Sequence, residues 1–245
     1  MQLAHATWPE VAAYLEHSDG IILPIGSTEQ HGPVGLIGTD AMVAQEIATV
    51  AGEKAGALVA PVIGYTPAEF NMDFPGTISV SVDTFQRLVG DVVDALARHG
   101  FGRIYVLNGH GANLEPLRTI TEARSHLQFR IASWWAYPNV ERLRNEWYGK
   151  WEGMHATPSE VAITRAVSRQ VDGSHLPPPE PITAEFVQAH AGDRHGPPSE
   201  HRAQFPDGRV GSHSDLGTAE QGRRLVEEAS TGAAADYAQF VSDGG

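Results

Sequence analysis

At 245 residues, 41% hydrophobic and 19% charged, the chain is long enough for one large α/β domain with its own core. A formal net charge of −13 argues against nucleic acid as the main partner, because phosphate binding needs a basic face. Cysteine is absent, which removes disulfides, thiolate metal ligands and a cysteine nucleophile.

No apolar run approaches the roughly 20 residues of a membrane span. The start, Met1-Gln2-Leu3-Ala4-His5, has neither the basic residues nor the apolar stretch of a secretion signal. The expectation is a cytoplasmic protein with no membrane partner. Nothing in the sequence marks a repeat or a second-domain boundary, so residues 1–245 read as a single domain.

Trp8, Val11, Ala12, Tyr14 and Leu15 have a roughly helical spacing, with Thr7 and Ser18 as candidate ends. Ile21-Ile22-Leu23 opens a buried strand over 21–25. A Gly/Pro-bounded loop follows, Gly26-Ser27-Thr28-Glu29-Gln30-His31-Gly32-Pro33, then a helix from Asp40 to about Lys54 with Thr39 as its N-cap. Leu58 to Ile63 reads as a second strand. Asp83 opens a helix to about His99, with Phe85, Leu88, Val89, Val92, Val93 and Leu96 on the core side.

Arg103 to Leu107 is a third strand, running into Asn108-Gly109-His110-Gly111-Ala112-Asn113 and a helix to about His126. Phe129 to Trp135 is a fourth strand, and 138–151 is helical. Thr157-Pro158-Ser159-Glu160 is a helix start, with proline at the first position and an acid in the first turn. From Ser174 to about Gly217 the chain is rich in Pro, Gly and His and reads as an irregular excursion, with a short helix at 183–190 and with His175, His190, His195, His201 and His213 facing solvent. A last helix runs from Thr218 to about Val241, before a Gly-rich tail that frays.

Strands alternating with helices imply a parallel or mostly parallel sheet covered on both faces. Sites in such folds gather at the carboxyl ends of the strands. The Glu29/His31 loop and the His110 loop both leave such an end, so topology places them on one rim. Glu29 and His31 are two apart and leave an extended segment on the same side. Carboxylate oxygen and imidazole nitrogen are ligands that zinc, manganese and iron accept. Asp40 and Glu160 also suit the first turns of their helices, where a carboxylate is favoured without any metal. Gly109-His110-Gly111 lacks the third glycine of a dinucleotide loop, since Leu114 stands there. No serine sits in a G-x-S-x-G elbow, and there is no Walker loop and no H-E-x-x-H helix.

Leu23-Pro24-Ile25-Gly26-Ser27-Thr28-Glu29-Gln30-His31-Gly32-Pro33 with Gly38-Thr39-Asp40 resembles the signature of the creatininase (creatinine amidohydrolase) family. The resemblance continues through Phe74-Pro75-Gly76-Thr77, Asn108 to Asn113, His155 to Glu160, and Gly217-Thr218-Ala219-Glu220-Gln221-Gly222. It implies a three-layer α/β/α sandwich and hydrolysis of a non-peptide C–N bond in a small amide, cyclic ones such as creatinine included. It also implies two divalent metal ions, Zn2+ foremost with Mn2+ or Fe2+ as alternatives. Glu29, Asp40 and His110 match the ligands of one metal, and His31 and Asp40 those of the other, with Glu160 expected to complete that second metal's ligands. His155 matches an acid/base, while Trp135, Trp151, Ser79 and Gly111 fall on the substrate side. Family members are typically homohexamers built as trimers of dimers.

The family also holds a deformylase of a formylamino-pyrimidine nucleotide and a peptidase that trims a small precursor peptide. The motif loops carry no basic residue to meet a nucleotide. One departure is visible. The name-giving enzyme has Tyr-Glu, with that Glu a metal ligand, where this chain has Gly111-Ala112. Glu160 reads as the replacement. The competing class is a non-catalytic metal or small-molecule binding protein on the same fold.

Overall fold

In a computed structural model that describes residues 1–243, the centre is a sheet of parallel strands: β1 (Gly20–Ile25), β2 (Leu58–Val59), β3 (Arg103–Asn108) and β4 (Gln128–Ser133). Their order is β2-β1-β3-β4. The Gly-rich tail at 244–245 lies outside the described residues.

Every residue of β1 is buried, because a parallel strand in mid-sheet is covered on both faces and needs apolar side chains pointing both ways. Ile21, Leu23 and Ile25 point to one face, where they pack with Ile104 and Val106 against Phe85, Val89, Val93 and Leu96 of α3 (Val82–Arg98) and Leu117 and Ile120 of α4 (Leu114–Glu122). Ile22, Tyr105 and Leu107 point to the other. There they meet Val43 and Ile47 of α2 (Thr39–Ala55) and Leu225, Ala229 and Phe240 of α9 (Ala219–Ser242). The result is the expected three-layer α/β/α sandwich.

Around these lie α1 (Trp8–Leu15), α5 (Pro138–Trp147), α6 (Pro158–Val167), α7 (Ala184–Ala189) and α8 (Pro198–Gln204). Both α6 and α9 begin with a capping box: Thr157 with Glu160, and Thr218 with Gln221.

The structure differs from the sequence reading in places. β2 stops at Val59; Pro61 has no N–H to give to a ladder, and Ile63 rejoins β1 only through an isolated bridge to Ile25. α2 is capped by Gly38, with Thr39 its first residue. α4 ends at Glu122, before His126. Leu88 is 41% exposed and lies off the core side of α3. α8, started by Pro198, adds a second helix to the excursion beyond the one read at 183–190.

The register that matters for the site is Ile25 opposite Asn108, which ends β1 and β3 side by side. Glu29 and His110 therefore leave neighbouring strand ends. α2 begins at the same end and brings Asp40 in its first turn.

Candidate metal centre

Glu29, His31, Asp40, His110 and His155 are all at most 4% exposed. The β1–α2 loop supplies Glu29 and His31, the start of α2 supplies Asp40, the end of β3 supplies His110, and the entry to α6 supplies His155 and Glu160. His31 Nε2 lies 2.9 Å from Asp40 Oδ1 and 3.9 Å from Glu160 Oε2. His110 Nδ1 lies 3.1 Å from Glu29 Oε1 and 3.3 Å from Asp40 Oδ2. Two sets of donors with the reach of a metal ion result, Glu29/Asp40/His110 and His31/Asp40/Glu160, sharing Asp40 through its two oxygens. A third set, Glu29/His31/His155, lies beside them.

The chemistry of these donors fits a metal. Each imidazole spends one nitrogen on a backbone carbonyl: His31 Nδ1–H donates to Glu29 O (3.2 Å), His110 Nε2–H to Pro67 O (2.9 Å) and His155 Nε2–H to Gln30 O (2.7 Å). That sets the tautomer and turns the other nitrogen inward, as metal-binding histidines are held. Glu29 Oε2 accepts from Asn71 Nδ2 at 2.8 Å, leaving Oε1 free to point at His110. Glu29 Oε1, His31 Nε2 and Asp40 Oδ2 are buried and make no hydrogen bond. Buried polar atoms without hydrogen bonds are costly unless a bound ion satisfies them. With metal–ligand bonds near 2.1 Å, donors around one tetrahedral ion stand about 3.4 Å apart, close to the separations found here.

The same crowding dictates the charges of the metal-free site. Burial opposes ionisation of every group, yet for Asp40 the facing His31 and His110 outweigh it and hold the carboxyl well below its usual range. Burial likewise lowers His31, but Asp40, Glu160 and Glu29 together carry it up to about 10. His110 is raised by Glu29 and Asp40 in the same way. Glu160 is pushed up to about 7, mainly by burial. His155 is lowered to about 3, by burial and by the two other imidazoles against the pull of Glu29, so its Nδ1 is unprotonated.

Glu29, Asp40, His110, His155 and Glu160 line a cavity of about 220 Å³, walled by Gly111, Leu114, Trp134, Trp135, Arg144, Met154 and Thr157; His31 lies behind them. Of the expected substrate-side residues, Trp135 and Gly111 line it. Trp151 and Ser79 are not among its lining residues. Trp151 packs edge-on to His213, and the Ser79 hydroxyl accepts from the Ala68 N–H.

Sequence reasoning missed several residues. Asp193, from the turn between α7 and α8, lines the cavity with Oδ2 3.8 Å from His110 Nδ1. Arg144 brings a cation to the wall, although the motif loops carry none. Its Nε donates to Glu152 Oε1 at 2.7 Å and its Nη1 to Trp135 O at 3.2 Å. The excursion does not simply face solvent. His201 is 2% exposed, and His195 and His201 both pack on Phe70, whose ring approaches His110 and His155. Gly208 and Val210 return to brace the site, accepting from Gln30 Nε2 and bridging to His155. No spacing rule announces these contacts.

A family model described as creatinine amidohydrolase matches residues 4–236. The chain is 34% identical over 180 residues to the creatinine amidohydrolase of Pseudomonas putida, covering 66% of this chain and 69% of that one. It is 27% identical over 230 residues to the mycofactocin precursor peptide peptidase of Mycolicibacterium smegmatis, covering 87% and 82%. A crystal structure of creatininase superposes with a TM-score of 0.80 at 23% identity, over 98% of this chain and 97% of that one. A Zn-Zn type of a mutant creatininase and a Mn form of creatininase match at a TM-score of 0.78 and 23% identity, over 98% of each chain. Among the described residues no helix is long and apolar enough to cross a membrane.

Proposed function

The chain belongs to the creatininase family, hydrolases of carbon–nitrogen bonds, and from that we propose that it is a metal-dependent amidohydrolase acting on a small amide, open or cyclic. The observation that carries the reading is the pair of donor triads sharing Asp40, all of whose members but His31 line the cavity. Glu29, Asp40 and His110 would hold one divalent ion, and His31, Asp40 and Glu160 the other. Zn2+ is the first candidate, with Mn2+ or Fe2+ accepted by the same oxygen and nitrogen donors. The zinc and manganese forms of creatininase support divalent ions here. Bound divalent metal acidifies water and polarises a carbonyl oxygen.

The chain's own residues supply the rest. His155 keeps its Nε2 proton on Gln30 O, so Nδ1 is the atom that takes a proton and passes it to the leaving nitrogen. Trp135 and the bare backbone of Gly111 face the substrate. Trp134, packed edge-on behind Trp135, holds that ring in place. A cavity below the usual 300–1,000 Å³ of ligand sites suits a substrate of few atoms.

One observation favours a second reading, cleavage of a short peptide: the peptidase relative aligns over 87% of the chain. A formylated pyrimidine nucleotide fits less well, since Arg144 is already engaged by Glu152. The same proposal carries a cytoplasmic homo-oligomer, a hexamer built as a trimer of dimers, which light scattering would size.

The test is metal analysis of the purified protein with a hydrolysis screen over creatinine, other lactams, formamides and short peptides. Turnover of a lactam or formamide that requires metal is the expected result. Peptide cleavage alone would select the second reading. Metal without turnover of anything would leave a binding protein.

A further inference from the structure

The turn between α7 and α8 brings a carboxylate, that of Asp193, to the edge of the centre. Asp193 Oδ2 lies 3.8 Å from His110 Nδ1, the nitrogen already faced by Glu29 Oε1 at 3.1 Å and Asp40 Oδ2 at 3.3 Å. Three carboxylate oxygens thus approach one imidazole nitrogen: those of Glu29 and Asp40 stand near the roughly 3.4 Å edge of a tetrahedral site, and Asp193 lies just outside that set of donors, so its side chain must close on the ion when one binds. We propose that Asp193 is a fourth ligand of the metal position framed by Glu29, Asp40 and His110, and that it can enter only because residue 111 is glycine.

Three features argue for this placement. A Cβ at position 111 would overlap Asp193 Oδ2 and come within 2.9 Å of its Cγ, so a side chain there and this carboxylate exclude each other. The Ala112 N–H faces the Asp193 carboxylate and favours its charged form. The backbone also bends to deliver it: Gly192 and Asp193 have φ of +77° and +55°, successive left-handed residues of which only the first is glycine. Asp tolerates that region better than most residues but is not free of strain in it.

The segment is also seated. His195 and His201 pack on each other at 4.6 Å and on Phe70, the ring that backs His110, at 4.7 and 5.1 Å. With the imidazoles neutral, the buried Glu29 and Asp40 and the largely covered Glu160 and Asp193 are four carboxylates lining one cavity, the charge that two divalent ions balance.

The inference rests on the metal reading of this site, so its test separates the two. Metal-free protein is titrated with Zn2+ against a competing chelator, and with Co2+ while its visible absorption is recorded. Asp193→Asn keeps the side-chain size, an oxygen to face the Ala112 N–H and the tolerance for the turn. It should weaken one of the two Zn2+ affinities about tenfold or more, at least what loss of a supporting partner costs. The other affinity should stay within about twofold, and the Co2+ spectrum should change. Asp193→Gly relaxes the backbone and should give the same loss. Gly111→Ala should reproduce it by exclusion, and adding Asp193→Asn to Gly111→Ala should cost nothing further. Unchanged affinities and spectrum in both Asp193 variants would overturn the inference, provided that Asp40→Asn loses metal. Retention of both metals in Asp40→Asn would instead overturn the metal reading itself.

Discussion

Asp40 Oδ1 and His31 Nε2 lie 2.9 Å apart, fully buried, with His31 Nε2 making no hydrogen bond. A buried pair that close would ordinarily be bonded. Its poor alignment makes sense if both atoms point past each other at an ion, while Asp40 Oδ2 points at another. Asp40→Asn removes the negative charge shared by both positions and turns one oxygen into a donor. Metal content should fall from two ions to none, and hydrolysis with it. Glu29→Gln should empty at least the His110 position. Elemental analysis checks both, and full activity in a metal-free variant would sink the scheme.

Proton release should accompany loading. Without metal, His31 titrates near 10: burial lowers it, but Asp40, Glu160 and Glu29 outweigh burial. Its folded value lies above the unfolded value of about 6.5. Its contribution to stability is therefore fully present below about pH 6.5 and is lost as pH rises through about 10. Glu160, raised to about 7 mainly by burial, acts in the same direction but at lower pH: its contribution is lost between its unfolded value of about 4.3 and about 7, and the fall above pH 7 belongs to His31. The melting temperature of metal-free protein should fall between pH 7 and 10. Affinity for Zn2+ should rise over the same interval, because His31 must lose its proton to ligate. Calorimetry in buffers of different ionisation enthalpy counts the protons. A metal-free melting temperature that climbs across this window would contradict the charge assignment.

His155 separates binding from chemistry. Its Nε2 is fixed on Gln30 O and its Nδ1 is 3.7 Å from Glu29 Oε1. His155→Ala should retain both metals and lose turnover by about a hundredfold or more, the usual worth of a placed acid/base. Metal content and kcat measured on one preparation decide it. Unchanged turnover removes His155 from the mechanism, and loss of a metal would point to the Glu29/His31/His155 set as a ligand triad.

The parts of this site that sequence reveals are those that topology positions. Ile21–Ile25 and Arg103–Leu107 are apolar enough to be strands buried on both faces, so their loops must emerge on one rim, and Glu29, His31, Asp40 and His110 follow. Glu160 is legible through Thr157 and Pro158, which start its helix. Asp193 is not legible. It lies in a stretch with neither period, and it reaches His110 through a left-handed turn and a histidine–phenylalanine stack formed only in three dimensions. His201 is hidden for the same reason: its burial depends on Phe70, a distant loop residue. Proline and glycine in that stretch suggest solvated chain, while Pro198 in fact opens a helix.

The stretch Gly217 to Gly222 is not near the cavity, yet it bears on the metal site through α6. The first turn of α9 lies so close to α6 that a Cβ on Gly222 would overlap the Ala162 carbonyl, and one on Gly217 would overlap that of Pro158. These are backbone atoms of the helix whose first turn presents Glu160 to His31, and they cannot swing aside as a side chain would. Gly222→Ala must push the two helices apart or bend α6. Overpacking of this kind costs about 1–3 kcal/mol, partly offset by the better helix propensity of alanine, up to about 1 kcal/mol. The variant should melt at a lower temperature and bind the His31-side metal more weakly, while the His110-side metal, held from β1, β3 and α2, keeps its affinity. Thermal melting with two-site Zn2+ titration measures both. Equal weakening of the two sites would mean that Gly222 acts on overall stability alone.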